Sequence, residues 1–408
     1  MGINGLNKAI KDLASKCVKE VRPEELPQGT YGVDVSIYLH PSKFNSDQKG
    51  KGSHVRSFLE MIIRWRQAGH KLIMVFDGDS SDQKAHELEK RKAVRDQKIQ
   101  RMIDISIRII PTVPEHIREK YDLKLSPEYY EGECVKCEQL CNELSSFRCE
   151  HCENIYCDDH NTDEHLCHCD QENALVTARK LLKLSFGNFE ERLELESVVR
   201  NTIELKTSDF EELEHLFDLT STQYVRANGE ADHLLALMYK EQKIIGVISE
   251  DSDMLTHGVS NLVRGLIDAS CRRKGVVRVY DLPTLLEEFQ LTRDEFVDLC
   301  ILSGCDYCEK LPGIACRTGL KLLRKHGNIE AVVKYLMEKS KITEDKSTEF
   351  LSKITTVREL FKNHDREAIY DLSEEQIINR EELREWLTHT TNYREETLDK
   401  KLTELCEN

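Results

Sequence analysis

Residues 244–255 read IIGVISEDSDML. The first half is a short apolar run rich in β-branched residues, the composition of a strand buried on both faces. The second half places Glu250, Asp251 and Asp253 within four positions, with no Lys or Arg among them. A core strand that ends in clustered carboxylates sets two expectations. The strand belongs to a sheet covered by helices on both sides. Its carboxyl end faces something that neutralises negative charge, because buried carboxylates repel one another and lose hydration.

The same rhythm recurs on either side of this stretch. Thr30–Val35 (TYGVDV), Lys71–Phe76 (KLIMVF) and Thr222–Arg226 read as further strands. His54–Gln67 has helical spacing, with Val55, Phe58, Leu59, Ile62 and Ile63 on one face. A charged helix is expected over Lys84–Arg101, and two more helical stretches over 172–185 and 188–206. A helix opens at Glu230, and the chain beyond Asp281 is nearly all helical. Alternating strands and helices predict an α/β core built on a mostly parallel sheet flanked by helices.

The chain has 408 residues and a net charge of −16. That charge at first argues against a nucleic-acid partner. Its distribution reverses the reading: residues 128–172 hold thirteen acids against two bases, which is −11 of the total. Local patches therefore matter more than the sum. No apolar run reaches membrane-spanning length and no signal peptide is visible, so an intracellular, soluble chain is expected, with no membrane partner. Fifteen cysteines in such a chain do not read as a disulfide framework, and eight of them fall between Cys134 and Cys169, which points to metal.

Acids stand at several expected strand ends and helix starts. Asp34 lies in GVDVS, Asp77 in VFDGD, Glu230 and Asp232 in ANGEADHLL, Asp251 and Asp253 in SEDSD, and Asp306 in LSGCDYC. Asp251 and Asp253 are two apart and would share a face if the strand continued. In open α/β sheets, sites form beyond the carboxyl ends of the strands, where such acids would converge. Oxygen-only ligands suit Mg²⁺ or Mn²⁺, and a pair of these ions supports phosphodiester hydrolysis with no Ser or Cys nucleophile. The bland alternative is that each acid is a solvated cap or turn residue; Asp77-Gly78 alone is only a turn signal.

These residues, in this order, resemble the flap endonuclease family of structure-specific 5′ nucleases (XPG/Rad2-type). MGINGL, VDVSIY, VFDG followed by QKAHELEKR, GEADHLLA and SEDSDML follow one another as in that family. The stretch 296–333, FVDLCILSGCDYCEKLPGIACRTGLKLLRKHGNIEAVV, carries the resemblance furthest. The resemblance runs from residue 1 to about 395 and is interrupted between roughly 105 and 190. It implies a PIN-like α/β core, a helical arch, two Mg²⁺ ions and cleavage near a DNA 5′ flap junction. Asp34, Asp77, Glu230, Asp232, Asp251, Asp253 and Asp306 fall on the family's carboxylate positions, with Asp232 standing where the family usually has Glu.

The resemblance also implies that Lys84 and Arg91 reach the scissile phosphate and that Tyr38 stacks on a base. The plain alternatives are a solvated basic helix face and core packing. LPGIACRTGLKLLRKHG is similar to the family's helix–two-turn–helix, which grips duplex phosphates and a K⁺ ion. Arg317, Lys321, Arg324 and Lys325 would supply its basic patch. Ala315 and Cys316 replace the usual Gly-Pro there, which puts the K⁺ geometry in doubt. No sliding-clamp peptide is found at the C-terminus.

The interrupted region carries its own signal. Cys134-x2-Cys137, Cys149-x2-Cys152, Cys157-x2-His160 and His165-x2-His168 are four ligand pairs, enough for two tetrahedral zinc sites. Their order resembles a B-box. That likeness assigns one zinc to Cys134, Cys137, Cys157 and His160, and the other to Cys149, Cys152, His165 and His168. Cys141, His151, Cys167 and Cys169 are surplus. The acidic surface of this insertion fits a protein partner better than a phosphate backbone, or a brace that shapes the arch.

The expected organisation is a nuclease region over 1–105, the zinc insertion over 130–170, second arch helices over 171–206, a second nuclease region over 207–345, and a helical region over 346–408. The expected activity is a Mg²⁺-dependent 5′ flap endonuclease with 5′→3′ exonuclease action on branched DNA in replication or repair. The alternatives are a related nuclease acting on gapped duplex, four-way junctions or RNA, and a catalytically silent scaffold using the zinc module.

Overall fold

Eleven strands carry labels here: β1 Val18–Val21, β2 Thr30–Asp34, β3 Lys71–Phe76, β4 Gly132–Glu133, β5 Leu140–Cys141, β6 Ser146–Arg148, β7 Ile155–Cys157, β8 Gln223–Arg226, β9 Gly246–Ile248, β10 Asn261–Arg264 and β11 Val277–Asp281. They come from a computed structural model. It describes residues 3–406 apart from 50, 79–84, 122, 124–131, 134–139, 142–145, 149–154, 158–167, 201, 203–204, 365–368 and 375–376. Clustering of the chain separates two compact units, residues 1–88 with 205–408, and residues 89–204.

The first unit holds a seven-stranded sheet in the order β1-β11-β10-β9-β2-β3-β8. The block β10-β9-β2-β3-β8 is parallel throughout, and β11 and β1 add antiparallel strands at one edge. The α/β, mostly parallel sheet is thus as expected. The run in β3 shows why. Ile73 and Val75 join the core on one face, while Leu72, Met74 and Phe76 join the core on the other, so a strand covered on both faces needs an unbroken apolar run.

The first core receives the helices Ala231–Lys240, Leu282–Phe289, Arg293–Ser303, Cys316–His326 and Glu344–Lys362. The second receives Ser53–Gln67, Thr207–Leu219 and the C-terminal pair Arg380–Thr390 and Glu395–Cys406. Helix Ala231–Lys240 sits directly on β2: a Cβ added at Gly32 would lie 2.4 Å from Leu235 Cδ2. The glycine in TYGVD lets helix and strand approach this closely. On the same side, Arg358 grips Asp298 through two 2.7 Å bonds and also reaches Glu330, tying three helices together.

Two sequence expectations need correction here. β9 ends at Ile248, and Asp253 opens the short helix Asp253–Thr256, so Asp251 and Asp253 are not related by strand alternation. The three strands β1, β10 and β11 were not read from the sequence. Their sequences, VKEV, NLVR and VRVYD, mix charged or polar residues with apolar ones, which leaves no long apolar run to notice.

The second unit holds the helices Glu115–Tyr121, His168–Lys183 and Phe189–Arg200 and most of helix Ala85–Ile109, with two small antiparallel pairs, β4 with β5 and β6 with β7. Helix Ala85–Ile109 runs eight residues beyond its expected end. Ile99, Met102, Ile105 and Ile109 are buried at helical spacing and carry the helix through. The expected boundary at 105 falls within it. The expected helix over 188–206 stops at Arg200, and a separate helix begins at Thr207. Among the described residues, no helix is long and apolar enough to cross a membrane.

Candidate functional site

The sheet order places its switch point between β2 and β9. From β2 the chain steps outward through β3 to β8, then returns to β9 on the opposite side of β2 and steps outward again to β10. A crevice forms at such a reversal, beyond the carboxyl ends of the strands. Asp34 is the last residue of β2, Asp77 directly follows β3, Glu230 follows β8 and caps helix Ala231–Lys240, and Asp251 follows β9. Four neighbouring strand ends therefore each deliver a carboxylate.

Internal donors hold these groups. Asp34 is buried; its Oδ1 accepts from Ile37 N at 3.3 Å and its Oδ2 from Ser249 Oγ at 3.0 Å. The same Ser249 Oγ accepts from Asp251 N at 3.1 Å, and Asp251 Oδ1 accepts from Asp253 N at 2.9 Å. Asp77 Oδ1 accepts from Ala231 N at 2.9 Å, at the start of the helix that carries Asp232. Glu230 Oε2 accepts from Tyr307 Oη at 2.5 Å. Asp306 and Tyr307 form the tip of a tight hairpin whose bases, Cys305 and Cys308, exchange both backbone bonds.

The electrostatic result is local frustration. Burial, then the charges of Asp77 and Asp251, push the Asp34 carboxyl up to about 7 despite its two hydrogen bonds. Burial and the charges of Glu230, Asp232 and Asp253 likewise push the Tyr307 phenol up. Carboxylates crowded this way need cationic charge, and an all-oxygen set fits a hard divalent ion. They are gathered but not closed. Among the described residues no three acidic, His or Cys side chains converge closely enough to hold one ion.

Glu250, the third acid of the opening stretch, has a different task. It accepts from Gly265 N at 2.8 Å and faces Arg264 at 3.8 Å. The fold thus brings it the cation that the local sequence lacks. Sequence reading also missed Ser249, which couples Asp34 to Asp251, and Tyr307. The only signal for either was its place beside a candidate acid.

The remaining candidates separate. Tyr38 lies in helix Val35–Lys49 and is buried, 2% exposed, so no ring face is open for stacking and the packing alternative describes it. Arg324 donates to the carbonyls of Phe289 and Glu288, closing the end of helix Leu282–Phe289 instead of facing a phosphate. Lys325 lies over the Tyr335 ring at 5.5 Å, and Arg317 pairs with Asp12 at 3.1 Å. Lys321 is exposed on the same helix, Cys316–His326. Lys84, and the side chain of Arg91, lie outside the described residues, as do Cys134, Cys137, Cys149, Cys152, His160 and His165 and the side chains of Cys157 and His168.

A mostly parallel sheet with carboxylates at four adjacent strand ends defines a PIN-like nuclease. Residues 1–98 match the XPG N-terminal domain and residues 221–306 the XPG I-region. Flap endonuclease 1-A of Sorghum bicolor is 27% identical over 356 residues, covering 85% of this chain and 72% of that protein. Flap endonuclease 1 of Glycine max is 27% identical over 342 residues, covering 81% and 68%. The catalytic core of Rad2 in complex with a DNA substrate shares the fold, with a TM-score of 0.59 and 16% identity over 99% of this chain and 100% of that one. The chain belongs to the XPG/Rad2-type flap endonuclease family, and it is a structure-specific nuclease, a hydrolase of phosphodiester bonds.

Proposed function

We propose that the protein is a Mg²⁺-dependent 5′ flap endonuclease with 5′→3′ exonuclease action on branched DNA, serving replication or repair. The observation that carries this reading is the delivery of Asp34, Asp77, Glu230 and Asp251 from four adjacent strand ends, with Asp34 too crowded to ionise in the ordinary range. Asp34, Asp77, Glu230, Asp232, Asp251, Asp253 and Asp306 would hold two Mg²⁺ ions, for which Mn²⁺ would substitute. Bound there, the ions would supply positive charge that makes a water more acidic and offsets charge on the scissile phosphate.

The chain's own residues do the rest. Ser249 ties the Asp34 carboxylate to the backbone of Asp251, which sets these two residues side by side. Lys84 and Arg91, seven apart in sequence, would stabilise the negative charge that grows on the phosphate. Lys321 offers exposed positive charge to duplex phosphates.

Cleavage of a 5′-labelled single-flap DNA with Mg²⁺ tests the reading. Junction cleavage is expected, lost in Asp253→Asn and with EDTA, and restored by Mg²⁺ added back. Cleavage that survives both Asp253→Asn and EDTA would overturn it.

The segment from Cys134 to His168 is proposed as a two-zinc module that docks a protein partner. Elemental analysis should find two zinc per chain, falling to one or none in a Cys149→Ser, Cys152→Ser double variant. A protein purified without zinc, yet folded and fully active, would reject this module.

A further inference from the structure

The 2.5 Å bond from Tyr307 Oη to Glu230 Oε2 is among the shortest side-chain contacts of the site. A phenol has one proton. With that proton given to Glu230, the second contact of the same oxygen, His233 Nε2 at 3.2 Å, is one in which the imidazole donates. Tyr307 therefore links a carboxylate at the end of β8 to a histidine one turn into the helix that the carboxylate caps.

Behind this link lies an aromatic box that serves no other purpose in the fold so far described. His233, His257 and His364 are all buried. His257 Nδ1 and His364 Nε2 lie 3.0 Å apart, and the His233 ring packs 5.0 Å from His257 and 5.5 Å from His364. Phe361 closes the box, 5.4 Å from the Tyr307 ring and 5.0 Å from His257. Three segments distant in sequence, the helix after Glu230, the turn after Asp253, and the end of helix Glu344–Lys362, thus meet in one box, against which Tyr307 packs through His233 and Phe361. A Tyr so enclosed loses little entropy on bonding, since its ring is already fixed by packing.

We propose that Tyr307 is the positioning residue for Glu230, and that the box of His233, His257, His364 and Phe361 holds the phenol, and through its hydroxyl the Glu230 carboxylate, in the orientation in which that carboxylate serves as a ligand. This rests on the divalent-ion nuclease reading above. Residues that orient a ligand in this way typically change metal affinity or activity by about 10- to 100-fold when removed.

The test is Tyr307→Phe, which keeps the ring and its packing and deletes only the hydroxyl. Two readouts are taken: Mn²⁺ binding to the DNA-free protein by electron paramagnetic resonance, and the Mg²⁺ concentration giving half-maximal flap cleavage. Tyr307→Phe is expected to weaken Mn²⁺ binding and raise the Mg²⁺ midpoint, both by about 10- to 100-fold, with most of the rate recovered at saturating Mg²⁺. His233→Leu should shift both in the same direction, and His233→Gln, which can still donate to the phenol, should restore them. If Tyr307→Phe lowers the metal-free unfolding midpoint but leaves both metal readouts unchanged, the hydroxyl is only structural and the proposal falls. If wild type itself binds no Mn²⁺, the divalent-ion reading falls and takes this one with it.

Discussion

Replacing Asp34 with asparagine is expected to lower cleavage by about 10³-fold and, in the same protein, to stabilise the metal-free fold above neutral pH. Asp34 ends β2 at the switch point of the sheet, and its carboxyl is pushed up to about 7 by burial and by Asp77 and Asp251. In the unfolded chain it titrates near 3.9. Its contribution to stability is therefore fully present below about pH 4 and is lost as pH rises through about 7. A shift of roughly three units corresponds to at most about 4 kcal/mol by pH 8. Asparagine cannot ionise, keeps an oxygen for the Ile37 N–H, and can donate to Ser249.

Without divalent ions, Asp34→Asn should thus melt above wild type at pH 8, by a smaller margin at pH 5, and alongside it below about pH 4. Mg²⁺ should raise the wild-type midpoint more at pH 8 than at pH 5.5, because it competes with the proton at this site. Flap cleavage should fall by about 10³-fold, the loss of several kcal/mol of charge stabilisation. A variant that melts below wild type at pH 8, or that cleaves within tenfold of it, would contradict this account of the site.

Gly78→Ala is the second large effect expected, and its cause is space. A Cβ at Gly78 would stand 2.0 Å from the carbonyl oxygen of Ala227 and 3.1 Å from the carbonyl carbon of Asn228. Gly78 N also donates to Gly229 O at 2.7 Å. The loop 227–229 thus lies flat on this glycine, and it leads straight into Glu230. A methyl group must lift the loop, displace Glu230, and break the bond from Ala231 N to Asp77. Overpacking and the lost cap together should cost about 2–4 kcal/mol. Misplacing ligands by about 1 Å should lower cleavage by about 100-fold.

Gly275→Ala is the control. Gly275 has φ +71°, so alanine is strained there, but nothing lies within 4 Å of the added carbon. It should cost about 1 kcal/mol and leave cleavage intact. Equal effects at the two positions would mean that the contact with the 227–229 loop does not matter.

Much of this was legible in the chain. The apolar runs at 72–76 and 244–248 dictated strands buried on both faces, because a strand covered by helices on both sides needs such runs. Each candidate carboxylate but Asp306 could be named because it ends or follows a strand or opens a helix, and Asp306 because it follows a helix; those are local signals. Tertiary structure decided what local pattern cannot carry. It set β9 beside β2, which is what makes Asp34 and Asp251 neighbours, and it joined Asp251 to Asp253 through a turn rather than a strand face. It brought Arg264 to Glu250, closed the end of helix Leu282–Phe289 with Arg324, buried Tyr38, and placed Tyr307 on Glu230 from 77 residues away. Periodicity reports which side of an element is buried. Strand neighbours, and the donors that reach a given carboxylate, are settled by contacts between segments far apart in the chain, and no local pattern records them.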